Sequence, residues 1–122
     1  MNIVQRAWFG GLTWAFLAAL SSSAVAQAWP AKPIRIIVPF RPGQGSDVLA
    51  RGLAQRLART WGQPVTVVNR PGANGILALE AVARAPGDGY TLLCTSGSPL
   101  VINPALYPKL RYDSESSFAP VG

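Results

Sequence analysis

Apolar positions along this chain fall in short clusters, separated by loops of glycine, proline and small polar residues. Ile34-Arg35-Ile36-Ile37-Val38-Pro39 is a β-branched run between prolines, the composition of a buried strand. From Ser46 to Trp61 the period changes. Leu49, Leu53, Leu57 and Trp61 recur at every fourth position, with Ala50, Ala54 and Ala58 beside them and Arg51, Gln55 and Arg59 opposite. That predicts an amphipathic helix with the leucine row and its neighbouring alanines inward. Gly62 suits the position after the last turn, and Pro64 prevents continuation. Val65-Thr66-Val67-Val68-Asn69 predicts a second strand. Ile76 to Ala85 predicts a second helix, with Leu79, Val82 and Ala83 inward and Glu80 and Arg84 outward. Pro86-Gly87-Asp88-Gly89 is a turn, and Tyr90-Thr91-Leu92-Leu93-Cys94-Thr95 a third strand. Pro99 to Leu106 suits a short helix. Tyr107 to Ser117 is polar and irregular, and Phe118-Ala119-Pro120-Val121 has the composition of a further strand's start.

The order βαβαβ with short connections predicts the α/β class: a parallel, doubly wound sheet with helices on both faces. In such a sheet, ligands bind beyond the carboxyl ends of the strands. Three loops would lie there: Phe40–Ser46, Arg70–Gly75 and Thr95–Ser98. All contain glycine, and the first and third also carry serine or threonine; such small residues expose backbone N–H groups. Unpaired N–H groups at a helix start, with the positive end of the helix dipole, favour an anion. The same glycines also suit plain tight turns, and spacing alone leaves both readings open. Asp47 fits either an N-terminal helix cap or a ligand contact. Arg41 and Arg70 are either solvated charges or anion holders. Cys94 and Trp61 read as packing residues.

Residues 1–26 have a different character. Arg6 precedes an uncharged stretch from Trp8 to Leu20, and a serine-rich segment then ends in Ala24-Val25-Ala26. The small-x-small ending is the signal-peptidase pattern, so cleavage after Ala26 and export to the periplasm are expected. The alternative is an uncleaved anchor, because no charge occurs between Ala7 and Ala31. Residues 27–122 then hold ten basic and five acidic residues, spread along the chain. No run interleaves aromatic and basic residues, so no nucleic-acid partner is expected. The positive field biases the chain toward small anionic solutes.

Composition removes several chemistries. The chain has 122 residues, no histidine and one cysteine. Histidine acid–base catalysis, the usual transition-metal sites and an internal disulfide are therefore excluded. Gly43-Gln44-Gly45-Ser46-Asp47-Val48 begins as a dinucleotide fingerprint, but valine stands where the third glycine belongs. Ser96 has no nucleophile-elbow context and no base. No catalytic residue, metal or cofactor is expected.

The string Trp29-Pro30-Ala31-Lys32-Pro33-Ile34-Arg35-Ile36-Ile37-Val38-Pro39-Phe40, followed by Arg41-Pro42-Gly43 and Asp47, resembles the start of the Bug family. These are periplasmic solute-binding proteins of tripartite tricarboxylate transporters. Gly62-Gln63-Pro64-Val65, Asn69-Arg70-Pro71-Gly72-Ala73-Asn74-Gly75, Pro86-Gly87-Asp88-Gly89-Tyr90-Thr91-Leu92-Leu93, Ile102-Asn103-Pro104-Ala105-Leu106-Tyr107 and Phe118-Ala119-Pro120-Val121 agree in order. The resemblance implies a two-lobed type II-like periplasmic binding protein, without catalytic activity. It would capture a small carboxylate and deliver it to membrane permease subunits. It also implies a ligand grip at Phe40, Gly43, Gln44, Gly45, Ser46 and Asp47, at Gly72, Ala73 and Asn74, and at Thr95, Ser96 and Gly97.

Gln44 departs from the family's usual glycine, so its side chain either adds an amide donor or obstructs the site. The family continues past this chain's last residue, so residues 27–122 are expected to be a partial first lobe. A truncated remnant that binds nothing, or a fragment of a small α/β hydrolase or transferase, are the alternatives.

Overall fold

The structure, a computed structural model, describes residues 28–121. The expected signal segment lies outside them. Three strands form one parallel sheet in the order β2-β1-β3: β1 is Ile34–Val38, β2 is Val65–Asn69 and β3 is Thr91–Leu93. Three helices accompany them: α1 is Gly45–Trp61, α2 is Ile76–Ala83 and α3 is Ser98–Leu106. The parallel α/β architecture matches the sequence pattern.

β1 is central because its sequence is apolar on both sides. Ile34, Ile36, Ile37 and Val38 are buried, and only Arg35 is exposed. A strand flanked by two parallel neighbours loses water on both faces, so a continuous branched-aliphatic run is favoured there. Each such side chain contributes about 1.5–3 kcal/mol on burial. β2 alternates between half-buried and exposed positions, which fits an edge strand. Ile36 pairs with Val67 on one side and Leu92 on the other. These three side chains share a face and pack with Val38, Ala50 and Ala54. Crossovers of one hand set α1 and α2 on opposite faces of a sheet in this order. Ala78 and Leu79 of α2 are fully buried.

The packing face of α1 differs from the periodicity's prediction. Leu49 is 67% exposed and Leu53 45%, whereas Asp47, Ala50 and Ala54 are buried. Leucine and alanine rows lie side by side on this helix, one residue or about 100° apart. Hydrophobicity favours the leucines. Close approach of a helix to a β-branched sheet favours the alanines, whose small side chains let the backbones meet. Leu57 and Trp61 are half-buried. Gly62 takes the left-handed conformation with φ 65°, and its N–H donates to Ala58 O at 3.0 Å.

Other boundaries shift slightly. α2 ends at Ala83 rather than Ala85, and β3 is three residues long. Backbone bonds extend β3 at each end, from Arg35 N to Tyr90 O and from Cys94 N to Ile37 O. Cys94 lies against the core, and burial pushes its thiol pKa up. Residues 107–117 are irregular, as predicted, but Tyr112 is buried and its ring packs edge-on against Phe118. Phe118–Val121 is not a strand, since it joins no ladder among the described residues. At the opposite end of the sheet, Trp29 packs edge-on against Trp61, 5.0 Å between centroids, and beside Tyr90.

Candidate functional site

Parallel pairing of Val38 with Asn69 and of Ile37 with Leu93 brings the carboxyl ends of the strands level. The three loops that follow therefore share one rim. Their closest meeting is at Gly75, which has φ +88°. A Cβ there would lie 3.1 Å from Pro99 and 3.2 Å from Pro39, so residues after β1, β2 and β3 converge on this glycine.

The loop after β1 is tied down by a polar cluster. Asp47 is 2% exposed. Its carboxylate accepts from Arg51 Nε at 2.9 Å, from the Gly43 N–H at 2.9 Å and from Asn69 Nδ2 at 2.8 Å. Asn69 also donates to Phe40 O at 3.0 Å, and its Oδ1 accepts from Arg51 Nη2 at 3.0 Å. Hydrogen bonds from Arg51, Gly43 and Asn69 hold the Asp47 carboxyl well below the usual carboxylate range. With its oxygens bonded to Gly43, Arg51 and Asn69, Asp47 ties the loop to the first helix and to β2. Phe40 is half-buried and packs on the core, so its side chain supports the loop from beneath. The N–H groups of Gly43 and Gln44 are also engaged, the latter with Arg41 O at 3.4 Å. Gln44 is exposed, and its carbonyl accepts from Asp47 N and Val48 N. Two amides at the start of α1 remain open: among the described residues, Gly45 N–H and Ser46 N–H have no acceptor.

The loop after β2 turns left-handed. Gly72, Ala73, Asn74 and Gly75 have φ of 132°, 46°, 54° and 88°. Gly75 N–H closes the turn onto Gly72 O at 2.9 Å. Left-handed backbone at a non-glycine residue costs about 1–3 kcal/mol, more readily borne by asparagine than by alanine. The turn leaves the N–H groups of Gly72, Ala73 and Asn74 without acceptors among the described residues. Asn74 Nδ2 donates to Asn103 Oδ1 at 2.9 Å, and Asn103 Nδ2 returns a bond to Asn74 O at 3.0 Å.

The loop after β3 leads into α3. Thr95 Oγ1 donates to Ser96 O, and the Ser96 and Ser98 hydroxyls lie 3.1 Å apart. Gly97 O accepts from Leu100 N and Val101 N, while Ser96, Gly97 and Ser98 keep unbonded N–H groups among the described residues. Pro104 inside α3 has no N–H for Leu100 O, and Ser114 Oγ fills that role at 2.7 Å.

The rim thus collects open amides from all three loops, at Gly45, Ser46, Gly72, Ala73, Asn74, Ser96 and Gly97. Arg41 and Arg70 are exposed beside it, and neither pairs with a carboxylate among the described residues. A groove of about 420 Å³ lined by Arg70, Pro71, Leu77, Glu80, Ala81 and Arg84 lies along α2, on the outer flank of the second loop. Backbone amides without internal partners can hold a carboxylate without a charged side chain in contact. No three histidine, cysteine or acidic residues group as metal ligands among the described residues.

The pattern did not single out Arg51, Asn69, Asn103 or Tyr112. Asp47 and Arg51 stand at i and i+4 with the acid first, which is a readable helical ion-pair signal. Asn103 carries a weaker sign, an asparagine in mid-helix, where its side chain competes with the backbone.

The family described as the tripartite tricarboxylate transporter family receptor matches residues 49–122. The chain belongs to this family. Protein BugT of Bordetella pertussis is 44% identical over 105 residues, covering 85% of this chain and 32% of BugT. MatC from Rhodopseudomonas palustris, solved with bound malate, is 38% identical with a TM-score of 0.72, covering 76% of this chain and 32% of that one. A second Rhodopseudomonas palustris protein, solved with adipate, is 36% identical with a TM-score of 0.68, covering 71% and 29%. The chain spans about a third of the length of the curated relatives it matches. The family and its solved structures are solute-binding proteins rather than enzymes, and periplasmic ones. Among the described residues, no helix is long and apolar enough to cross a membrane.

Proposed function

We propose that this receptor captures a small carboxylate outside the cytoplasm for a tripartite tricarboxylate transporter. Residues 1–26 act as a cleaved signal peptide, and residues 27–122 supply part of the first lobe. One carboxylate of the ligand sits on the rim, accepting from the amides of Gly45, Ser46, Ala73, Asn74 and Gly97, with the Ser96 hydroxyl beside them. Gly43, Gln44, Asp47 and Phe40 hold the first loop in shape. The loaded receptor delivers its cargo to the membrane permease subunits. The observation that carries the reading is the gathering of unbonded amides from three loops at one sheet edge. Relatives solved with malate and with adipate support the carboxylate chemistry.

Calorimetric titration and thermal shift with malate and adipate test this. Binding to the folded form alone raises the melting temperature, by an amount that grows with ligand concentration. Neutral diols of the same length are expected to do nothing. Equal shifts with the diols, or none with any acid, would count against the carboxylate reading.

A further inference from the structure

Asn103 lies within α3 and is fully buried, a costly place for a primary amide unless its donors and acceptor are bonded. Its two shorter bonds run to one residue 29 positions earlier in the chain. Asn103 Oδ1 accepts from Asn74 Nδ2, and Asn103 Nδ2 donates to Asn74 O. Asn74 belongs to the run of four consecutive positive-φ residues, and the Ala73 before it has no polar side chain to favour that conformation. Glycines at both ends suit the turn, but nothing in Ala73 itself favours its positive φ. The reciprocal amide pair spans both faces of its third residue, as a clip would. Tyr112 stands behind Asn103, its hydroxyl 3.5 Å from Nδ2 and donating to Pro99 O at 2.8 Å.

We propose that Asn103 is a positioning residue of the rim: its side chain holds the Gly72–Gly75 turn left-handed, and so aims the Ala73 and Asn74 amides. The hold on the turn stands by itself, while its consequence for a ligand rests on the carboxylate reading above.

Amide hydrogen exchange on the full chain, read by NMR, tests the hold. Gly75 N–H, bonded to Gly72 O, reports closure of the turn, and Cys94 N–H, bonded to Ile37 O, reports the sheet. In Asn103→Ala, exchange at Gly75 relative to Cys94 rises about tenfold or more. Tyr112→Phe removes the bond to Pro99 O and the 3.5 Å contact with Asn103 Nδ2 but neither bond to Asn74, and keeps the ratio within about twofold. Adding Ala73→Gly to Asn103→Ala brings the ratio back toward wild type, because glycine adopts positive φ unaided. If Asn103→Ala does not fold, Asn103→Asp keeps the shape, loses the donation to Asn74 O and is expected to show the same rise. An unchanged ratio in the Asn103 variants, or an equal rise in Tyr112→Phe, overturns the proposal. Titration with malate reads the consequence: affinity falls about tenfold in Asn103→Ala and not in Tyr112→Phe. Unchanged affinity in an Asn103→Ala chain whose turn has opened also overturns it. If wild type binds no malate, the carboxylate reading falls, and the exchange ratio still decides the hold.

Discussion

Asp47, Arg51 and Asn69 show how one charged side chain can serve a loop instead of a ligand. The carboxylate binds the Gly43 N–H, and the Gly45 and Ser46 N–H groups are left without acceptors among the described residues. Its folded pKa lies below the ordinary carboxylate value of about 4. Such a group contributes stability that is complete above the unfolded pKa and is lost as pH falls toward the folded one. Asp47→Asn is therefore expected to melt lower than wild type at pH 7. The gap should narrow below about pH 4, as the unfolded chain takes up the Asp47 proton while the folded one stays ionised. Thermal unfolding of both proteins between pH 7 and pH 3 checks this. A constant gap would mean that shape, and not charge, holds the loop.

At the scale of the element, α1 makes the sharpest test of packing. Ala50 is fully buried against β1, and Leu49 faces solvent one position earlier. Ala50→Leu is expected to overpack the helix–sheet contact and destabilise by about 1–3 kcal/mol. Leu49→Gln should change stability by less than about 0.5 kcal/mol. Urea unfolding of the two variants measures the difference, and the reverse order would restore the leucine row as the packing face. The positions of α1, β2 and Gly62 were legible in the sequence because period, branching and the glycine stop are local signals. The inward row was not, since two apolar rows lie side by side and only the approaching sheet chooses between them.

For the molecule as a whole, the basic excess and the exposed Arg41 and Arg70 set a positive field around the rim. An anionic ligand is then steered in, and salt screens the effect as the Debye length falls from about 30 Å at 0.01 M to about 10 Å at 0.1 M. Malate association is expected to slow by about two- to fivefold over that range, while its dissociation rate stays nearly constant. Stopped-flow or NMR line-shape measurements report both rates. A salt-independent association rate would show that the field plays no part in capture. The sharing of one edge by the three loops was legible from the βαβαβ order alone, since parallel strands must all end on the same side. Which amides stay open at that edge was not legible. Gly43 and Gln44 carry the same loop chemistry as Gly45 and Ser46, but only the former are bonded inside.

By itself the sequence determined the strands, the helices, their parallel order and the kinship with transporter receptors, because each depends on near neighbours or on strings of residues. Only the tertiary structure decided that alanines rather than leucines face the sheet, that Asp47 is a strut and that Asn103 grips Asn74. The physical reason is distance along the chain. Asn69 meets Asp47 from 22 positions away and Asn103 meets Asn74 from 29, and no local pattern records bonds that only folding creates.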